Sequence, residues 1–524
     1  MDHVELIVFA LLVAGAGLAV LARVLNVPYP ITLVLGGAGI GFIPGMPEVS
    51  LDPDLVLLIF LPPLLYGAAF FTSLRDLRRD ARPIALLSIG VVAVTMAAVA
   101  VIAHHVIGLG WAESFVLGAI VSPTDAVAPA EIMRRIGAPR RLLTVVEGEN
   151  LTNDWTALVL YRVAVAALVS GSFSLWEAGL KFVWSGVGGL LIGLVAGLVI
   201  REVRRRIDDP PTEITISLLS AYAAYLPAEE LGVSGVIAAV TVGVYMGWHT
   251  PELTTPVMRL QGVAIWEVLT FLLNAMLFLL VGFQMPNVID NISGHSAGEL
   301  IAWGLLVSFV VIAVRLVWGF TMVYVIRALD RRPSQRARRA GWRQRMVVGW
   351  AGMRGSVSLA AALALPLKTE SGAPFADRGL IIFLAFAVIL TTLVGQGLTL
   401  GPLIRRLGVE DDGAEAREEV AARIRLAEAA ISRTEELDGQ EWVRPDTLER
   451  VRGLFDYRRR RFGAQEDGDG DEYEERSGNY IRLMYELFDA QREALIRLRN
   501  SGEISDEVRR RVERELDLEE SRLQ

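Results

Sequence analysis

Residues 121–129 read Val121-Ser122-Pro123-Thr124-Asp125-Ala126-Val127-Ala128-Pro129, inside an apolar window that runs from 111 to 134. The prolines six residues apart each delete an amide donor and disfavour helix in the residue before them. The spacing therefore predicts a break in whatever helix this window forms. At membrane depth a break is tolerated only where the freed carbonyls line a cavity or bind something, and Thr124 and Asp125 add oxygen atoms at the same place. An ionised side chain at the bilayer centre costs about 2.5–3.5 kcal/mol on insertion scales, so an Asp inside the break reads as functional rather than as part of a structural kink.

The whole chain supports the membrane reading. Of its 524 residues 53% are hydrophobic, with a mean hydropathy of +0.43, a combination rare in soluble proteins. Windows long enough to cross roughly 30 Å of hydrocarbon fall at 4–25, 28–43, 55–71, 83–107, 111–134, 142–169, 177–200, 213–228, 233–249, 257–285, 298–326, 346–367 and 379–404, which makes thirteen candidate spans. Alternate connections hold 24 of the 30 basic residues before Gly408, among them Arg75, Arg78, Arg79, Arg82, Arg134, Arg135, Arg140, Arg141 and the eight Arg from Arg327 to Arg345. Basic loops belong on the cytoplasmic side, so the expected topology is multi-pass in the cell (inner or plasma) membrane, with the N-terminus outside and the C-terminus in the cytoplasm. The N-terminus lacks the basic start of a signal peptide and reads as a retained first span.

Residues 408–524 carry 21 Arg against 32 Asp and Glu, net minus 11, while residues 1–407 are net plus 3. The formal minus 8 thus averages two expected domains, a membrane domain over 1–407 and a charged helical cytoplasmic domain over 408–524. In the latter, Val420, Ile424, Ala427 and Ile431 form one helical stripe. Further helices are expected around 447–461, 480–498 and 505–520. The acidic run Gln465 to Glu472 reads as a flexible loop, and its Asp-x-Asp-Gly resemblance to a calcium loop lacks the required spacing. There are no cysteines, which excludes disulfides, thiolate metal sites and cysteine nucleophiles. The five His are scattered, and no cofactor or nucleic-acid partner is expected.

Charges inside the spans are few: Arg162, Arg315 and Arg354, against Asp125, Glu147, Glu149, Asp154 and Glu267. The sixth span opens Glu147-Gly148-Glu149-Asn150-Leu151-Thr152-Asn153-Asp154, which places Asp154 about 20 Å along the helix from Arg141. Asn150 and Asp154, four apart, share a face and offer oxygens to one point, a donor set suited to a hard cation. The twelfth span contains Gly349-Trp350-Ala351-Gly352-Met353-Arg354-Gly355-Ser356-Val357-Ser358, a second interrupted helix. Spans five and twelve run in opposite directions. Broken helices so placed point to an all-α transporter of two inverted six-helix repeats, with discontinuous crossing helices 5 and 12 and its site at the midplane. Arg162 either offsets the field of Asp154 or extends outward, and Arg315 is expected to support a broken helix with Glu267 facing it.

Ser122-Pro123-Thr124-Asp125, Glu149-Asn150-Leu151-Thr152-Asn153-Asp154 and Gly352-Met353-Arg354-Gly355, in that order, resemble the monovalent cation/proton antiporter-1 family of NhaP and NHE exchangers. The resemblance covers most of residues 1–407. It implies a homodimeric secondary transporter that exchanges Na+, or a related monovalent cation, for H+ by an elevator-like movement. It implies that Asp154 binds either cation or proton, with Thr124 and Asn150 as further ligands of the transported Na+. Asn153 stands where electrogenic relatives have a second Asp, which implies electroneutral exchange. Glu149 and Arg354 resemble an ion pair tying span six to span twelve, and Asp125 resembles the acid that balances helix ends at the crossover. One departure is Gly67, where NhaP-type proteins often have a Glu in the third span.

Exchange also follows from elementary physics. Desolvation disfavours the charged form of a buried carboxylate, a proton or a cation can neutralise it, and only a neutral site crosses a low-dielectric gap cheaply. Three rivals remain beside Na+/H+ exchange: K+/H+ exchange on the same fold, a cation channel, and an intramembrane aspartyl protease. A channel does not require paired broken helices, and the protease would need Asp on two spans in a Gly-x-Gly-Asp setting, which is absent.

Overall fold

A computed structural model describes residues 2–25, 27–44, 53–170, 175–290, 292, 295–329, 340–366, 375, 377–411, 413–467 and 471–521. Of the acidic run 465–472, expected as a loop, residues 465–467 and 471–472 are helical and residues 468–470 lie outside the described residues, as do most of the basic run at 330–339 and Lys368. Among the described residues every regular element is helical. Contacts divide the chain into two compact units, Met1–Asp411 and Asp412–Gln524.

In the first unit each apolar window coincides with a helix or a pair of half-helices. They are α1 (Asp2–Leu25), α2 (Tyr29–Gly41), α3 (Pro53–Phe71), the short α4 (Leu74–Arg79) and α5 (Ala81–Ile107). The fifth window is split into α6 (Trp111–Val121) and α7 (Val127–Ile136). There follow α8 (Arg140–Ser170), α9 (Leu175–Arg204), α10 (Pro210–Glu230), α11 (Gly235–Leu253), α12 (Pro256–Phe283), the short α13 (Met285–Asp290) and α14 (Ala297–Leu329). The twelfth window is again split, into α15 (Trp342–Trp350) and α16 (Ser356–Leu363), and α17 (Arg378–Leu407) closes the unit. Within α5 and α17 lie wider π-helical turns, at Leu86–Val91, Ala103–Ile107 and Thr391–Gln396. Among the described residues five helices are long and apolar enough to cross a membrane, namely Ala81–Ile107, Gly179–Arg204, Pro256–Phe283, Ala297–Met322 and Arg378–Leu407.

Local chemistry sets the ends. Helix α7 stops at Gly137, whose φ of +69° is left-handed and suits a residue with no Cβ. Helix α10 starts at Asp209, which accepts from the Thr212 amide at 3.1 Å, and α12 starts at Thr255 with Pro256 in its first turn. Both are N-terminal devices that satisfy or remove orphan amides.

Two large apolar clusters fill the unit. One joins α2, α12 and α17 through Ile31, Leu33, Leu279, Phe283 and Leu393, and the other joins α6, α14 and α17 through Leu117, Val121, Val311 and Ile381. Helices α2 and α12 approach backbone to backbone: a Cβ on Gly37 would lie 2.2 Å from the Leu279 carbonyl and one on Gly282 2.0 Å from that of Val34. In a lipid environment such small-residue contacts supply the packing that hydrophobicity cannot.

The second unit contains α18 (Ala414–Leu437), α19 (Pro445–Asp467), α20 (Asp471–Asn500) and α21 (Asp506–Glu520). Helix α18 packs on α19; Ala427 and Thr434 of α18 are buried, and Val420, Ile424 and Ile431 are half-buried. Arg492 of α20 binds Asp517 of α21 at 2.7 Å and also Glu520.

The α2–α12 contact yields a stability test. Gly282→Leu should cost about 1–3 kcal/mol through overpacking, lowering the thermal midpoint of the solubilised protein. Gly262→Leu, whose Cβ would meet nothing within 4 Å, should leave the midpoint unchanged.

Candidate ion-binding site

The two half-helix pairs meet at their gaps. The Asp125 amide donates to the Met353 carbonyl at 2.7 Å, stitching the extended stretch of one broken helix to that of the other. The Asp125 carboxylate accepts from the Val127 amide at 2.8 Å, at the start of α7. It also lies against Gly355, just before α16, where a Cβ would come within 1.7 Å of its oxygen. Asp125 therefore faces the positive ends of two half-helices. Arg354, wholly buried, does the converse. Its Nε donates to the Val121 carbonyl at 3.0 Å, its Nη1 to that of Gly352, and its amide to Thr392 Oγ1 at 3.1 Å. Those carbonyls belong to the C-terminal ends of α6 and α15, where the dipole favours a cation.

The expected Glu149–Arg354 ion pair is not formed. Glu149, 1% exposed, is gripped through both carboxylate oxygens by Arg315 of α14, with Nη2 at 2.7 Å from Oε2. Arg315 also donates to the Val348 carbonyl at 3.2 Å, so it ties α8 to α15. Gly352 makes room, since a Cβ there would lie 2.2 Å from Arg315 Cδ. Arg354 is neutralised by helix ends, which leaves the carboxylate to Arg315. Sequence reasoning had marked Arg315 as a charge in need of a partner but set Glu267 opposite it. Glu267 instead lines the cavity described below. Arg162 reaches outward to Glu229 at 2.7 Å, with both side chains partly exposed.

From Glu149 a polar chain runs to the gap of the first broken helix. Thr124 Oγ1 donates to Glu149 Oε1 at 3.1 Å, and Asn153 Nδ2 donates to Thr124 Oγ1 at 2.8 Å and to its carbonyl at 3.0 Å. Asn153 thus fixes Thr124 rather than facing open space. One lone pair of the Thr124 hydroxyl is left over, since its proton goes to Glu149 and its other lone pair to Asn153. Beside this chain stands Asp154, 3% exposed, with no hydrogen bond or ion pair to any described residue.

Thr124, Asp125, Asn150 and Asp154 line one cavity of about 670 Å3. Near the arginine-rich helix ends it is bounded by Thr72 and by the ion pair of Arg134 with Glu147. Helix α3 contributes Leu61, Leu64, Leu65 and Gly67 but no acid. Gly67 lies against Trp266, whose ring carbons would be 3.2 Å from a Cβ. Glu131, Glu267 and Asn274, to which sequence reasoning gave no place in the site, also face the cavity.

Two interrupted helices that meet at their gaps, with a buried carboxylate at a cavity wall, match the architecture of an ion-coupled secondary transporter. A sequence profile of the family described as "Sodium/hydrogen exchanger, transmembrane" matches residues 7–406. An uncharacterized Na(+)/H(+) exchanger of Mycobacterium tuberculosis (strain ATCC 25618 / H37Rv) is 39% identical over 522 residues, covering 99% of this chain and 96% of the relative. A sodium, potassium, lithium and rubidium/H(+) antiporter of Bacillus subtilis (strain 168) is 34% identical over 380 residues, covering 70% of this chain and 56% of the relative. The sodium proton antiporter MjNhaP1 from Methanocaldococcus jannaschii has a similar fold, with a TM-score of 0.62 at 20% identity over 78% of this chain and 99% of that one. The chain belongs to the sodium/hydrogen exchanger family, whose members are membrane-embedded cation/proton antiporters.

Removing one partner of a buried ion pair leaves the other uncompensated, at about 3–5 kcal/mol. Arg315→Met and Glu149→Leu should each lower the thermal midpoint sharply, and the double variant should be more stable than either single one. A double variant whose loss equals the sum of the two single losses, measured by thermal unfolding, would show the two residues to be uncoupled.

Proposed function

We propose that the protein exchanges one Na+ for one H+ across the cell membrane, with the two ions competing for Asp154. The carrying observation is a carboxylate that the fold buries, sets at a cavity wall and leaves without a partner among the described residues. A buried charge with no counter-charge is costly, so either a proton or a cation must complete it. The Thr124 hydroxyl and the Asn150 amide supply neutral oxygens beside it, as a hard monovalent cation requires. The charges at the crossing of the broken helices are balanced locally. Glu149 is closed by Arg315, and Asp125 and Arg354 face helix ends of opposite polarity. Asn153 adds no second carboxylate, which supports one charge per crossing and hence electroneutral exchange.

The arginine-rich end of the cavity lies on the cytoplasmic side by the positive-inside rule, with the N-terminus outside. The chain works as a homodimer in which one body of each protomer moves against the other, as the resemblance implies. A K+/H+ reading comes second. It is favoured by Gly67, which leaves the α3 wall of the cavity without a charged ligand, and the Bacillus subtilis relative bears a name that includes potassium.

Purified protein in proteoliposomes loaded with a pH dye tests this. Na+ should drive H+ movement, and comparison with Li+ and K+ ranks the cations. Asp154→Asn should reduce exchange to background while inserting normally; wild-type rates in that variant would sink the reading. An imposed membrane potential should leave the initial rate unchanged, and a rate that follows the potential would exclude one-for-one exchange.

A further inference from the structure

Helix α12 is apolar for most of its length, yet it carries Glu267, Thr270 and Asn274 at spacings of three and four, all lining the cavity. Residues so spaced share one helix face, and the stripe climbs about 10 Å along the axis. Its direction is set by Trp266, buried at 2% exposure, stacked on Tyr66 with ring centroids 5.2 Å apart, and donating through Nε1 to Ser217 Oγ at 3.1 Å. That anchor fixes the rotation of α12 against α3 and α10.

None of the three stripe residues has a side-chain hydrogen bond or ion pair to a described residue. Asn274 is only 6% exposed, so its free amide is directed into the cavity rather than into bulk solvent. Two other carboxylates on the cavity wall are occupied, Glu147 by Arg134 and Asp125 by the Val127 amide, while Glu131 keeps a buried oxygen, Oε2, without a hydrogen-bond partner. Among the described residues Asp154, Glu131 and Glu267 are the lining carboxylates outside those two contacts, and of these only Glu267 lies on the α12 stripe with Thr270 and Asn274. It stands on the wall next to Gly67, which adds no charge.

We propose that Glu267, Thr270 and Asn274 form an outer cation station, which captures a monovalent cation in the cavity and hands it along oxygens toward Asp154. The inference rests on the exchange reading above. A carboxylate reached through water attracts a cation without holding it tightly. It raises local concentration in a low-dielectric cleft, an effect that salt screens. Thr270 and Asn274 replace water oxygens deeper in.

Reconstituted full-length protein tests it, with Na+ supplied from the cavity side at low ionic strength. Glu267→Gln should raise the Na+ KM about fivefold, the loss of one water-screened charge at contact distance, with kcat little changed. The difference should shrink as an impermeant salt is added. Glu267→Asp should keep the wild-type KM, and Asn274→Leu should raise it in the same sense. A Glu267→Gln KM equal to wild type at low ionic strength overturns the proposal, as does a fall in kcat alone or a KM rise that salt does not diminish. Absence of exchange in the wild-type protein would strike the proposed function itself, whereas exchange with an unaltered KM strikes only the outer station.

Discussion

The buried pair of Glu149 and Arg315 is the contact on which the site depends. Glu149 also accepts the hydroxyl proton of Thr124, and Thr124 in turn receives Asn153 at both its oxygens. Arg315 reaches on to the Val348 carbonyl. Three helices and one extended gap are therefore held by a single salt bridge and the hydrogen bonds that share its atoms. A pair of this kind gains little over a well-packed apolar replacement, but it is costly to break on one side. It defines where α8 sits relative to the broken helices more than it adds to overall stability.

The crossing of the broken helices solves a second electrostatic problem. Ending four half-helices near one point exposes two positive and two negative poles in a poorly screened medium. Asp125 is set at the positive pair and Arg354 at the negative pair. The two side chains need no contact with each other, because each is balanced by peptide dipoles.

That balance explains how far the sequence could be read. The prolines at 123 and 129 and the glycines around Arg354 located both gaps, because backbone breaks are local properties of residue type. The partner of Glu149 was not local. Three arginines and five acids lay within apolar windows, and formal charge alone could not tell that helix termini would satisfy Arg354. The residue that Glu149 required lay 166 positions away. A small residue at Gly352 was the available clue, since the Arg315 stem fills the space a side chain there would take. The cavity wall formed by α12 was also hidden: Glu267 was visible as a charge, but its direction depends on the rotation that Trp266 imposes through Tyr66 and Ser217.

Among the described residues Asp154 has no partner, which has a consequence for how tightly transport is coupled. On the proposed function, proton and cation each stabilise the folded carrier, whereas the empty carrier keeps an uncompensated carboxylate, so occupancy and conformational stability are thermodynamically linked. The energy that makes the empty site unfavourable is the same energy that opposes its passage across the membrane without an ion. Any substitution that gave Asp154 a permanent partner would make the protein more robust and the carrier leaky or idle. On that function, fidelity of coupling comes from leaving the buried Asp154 carboxylate without a counter-charge among the described residues.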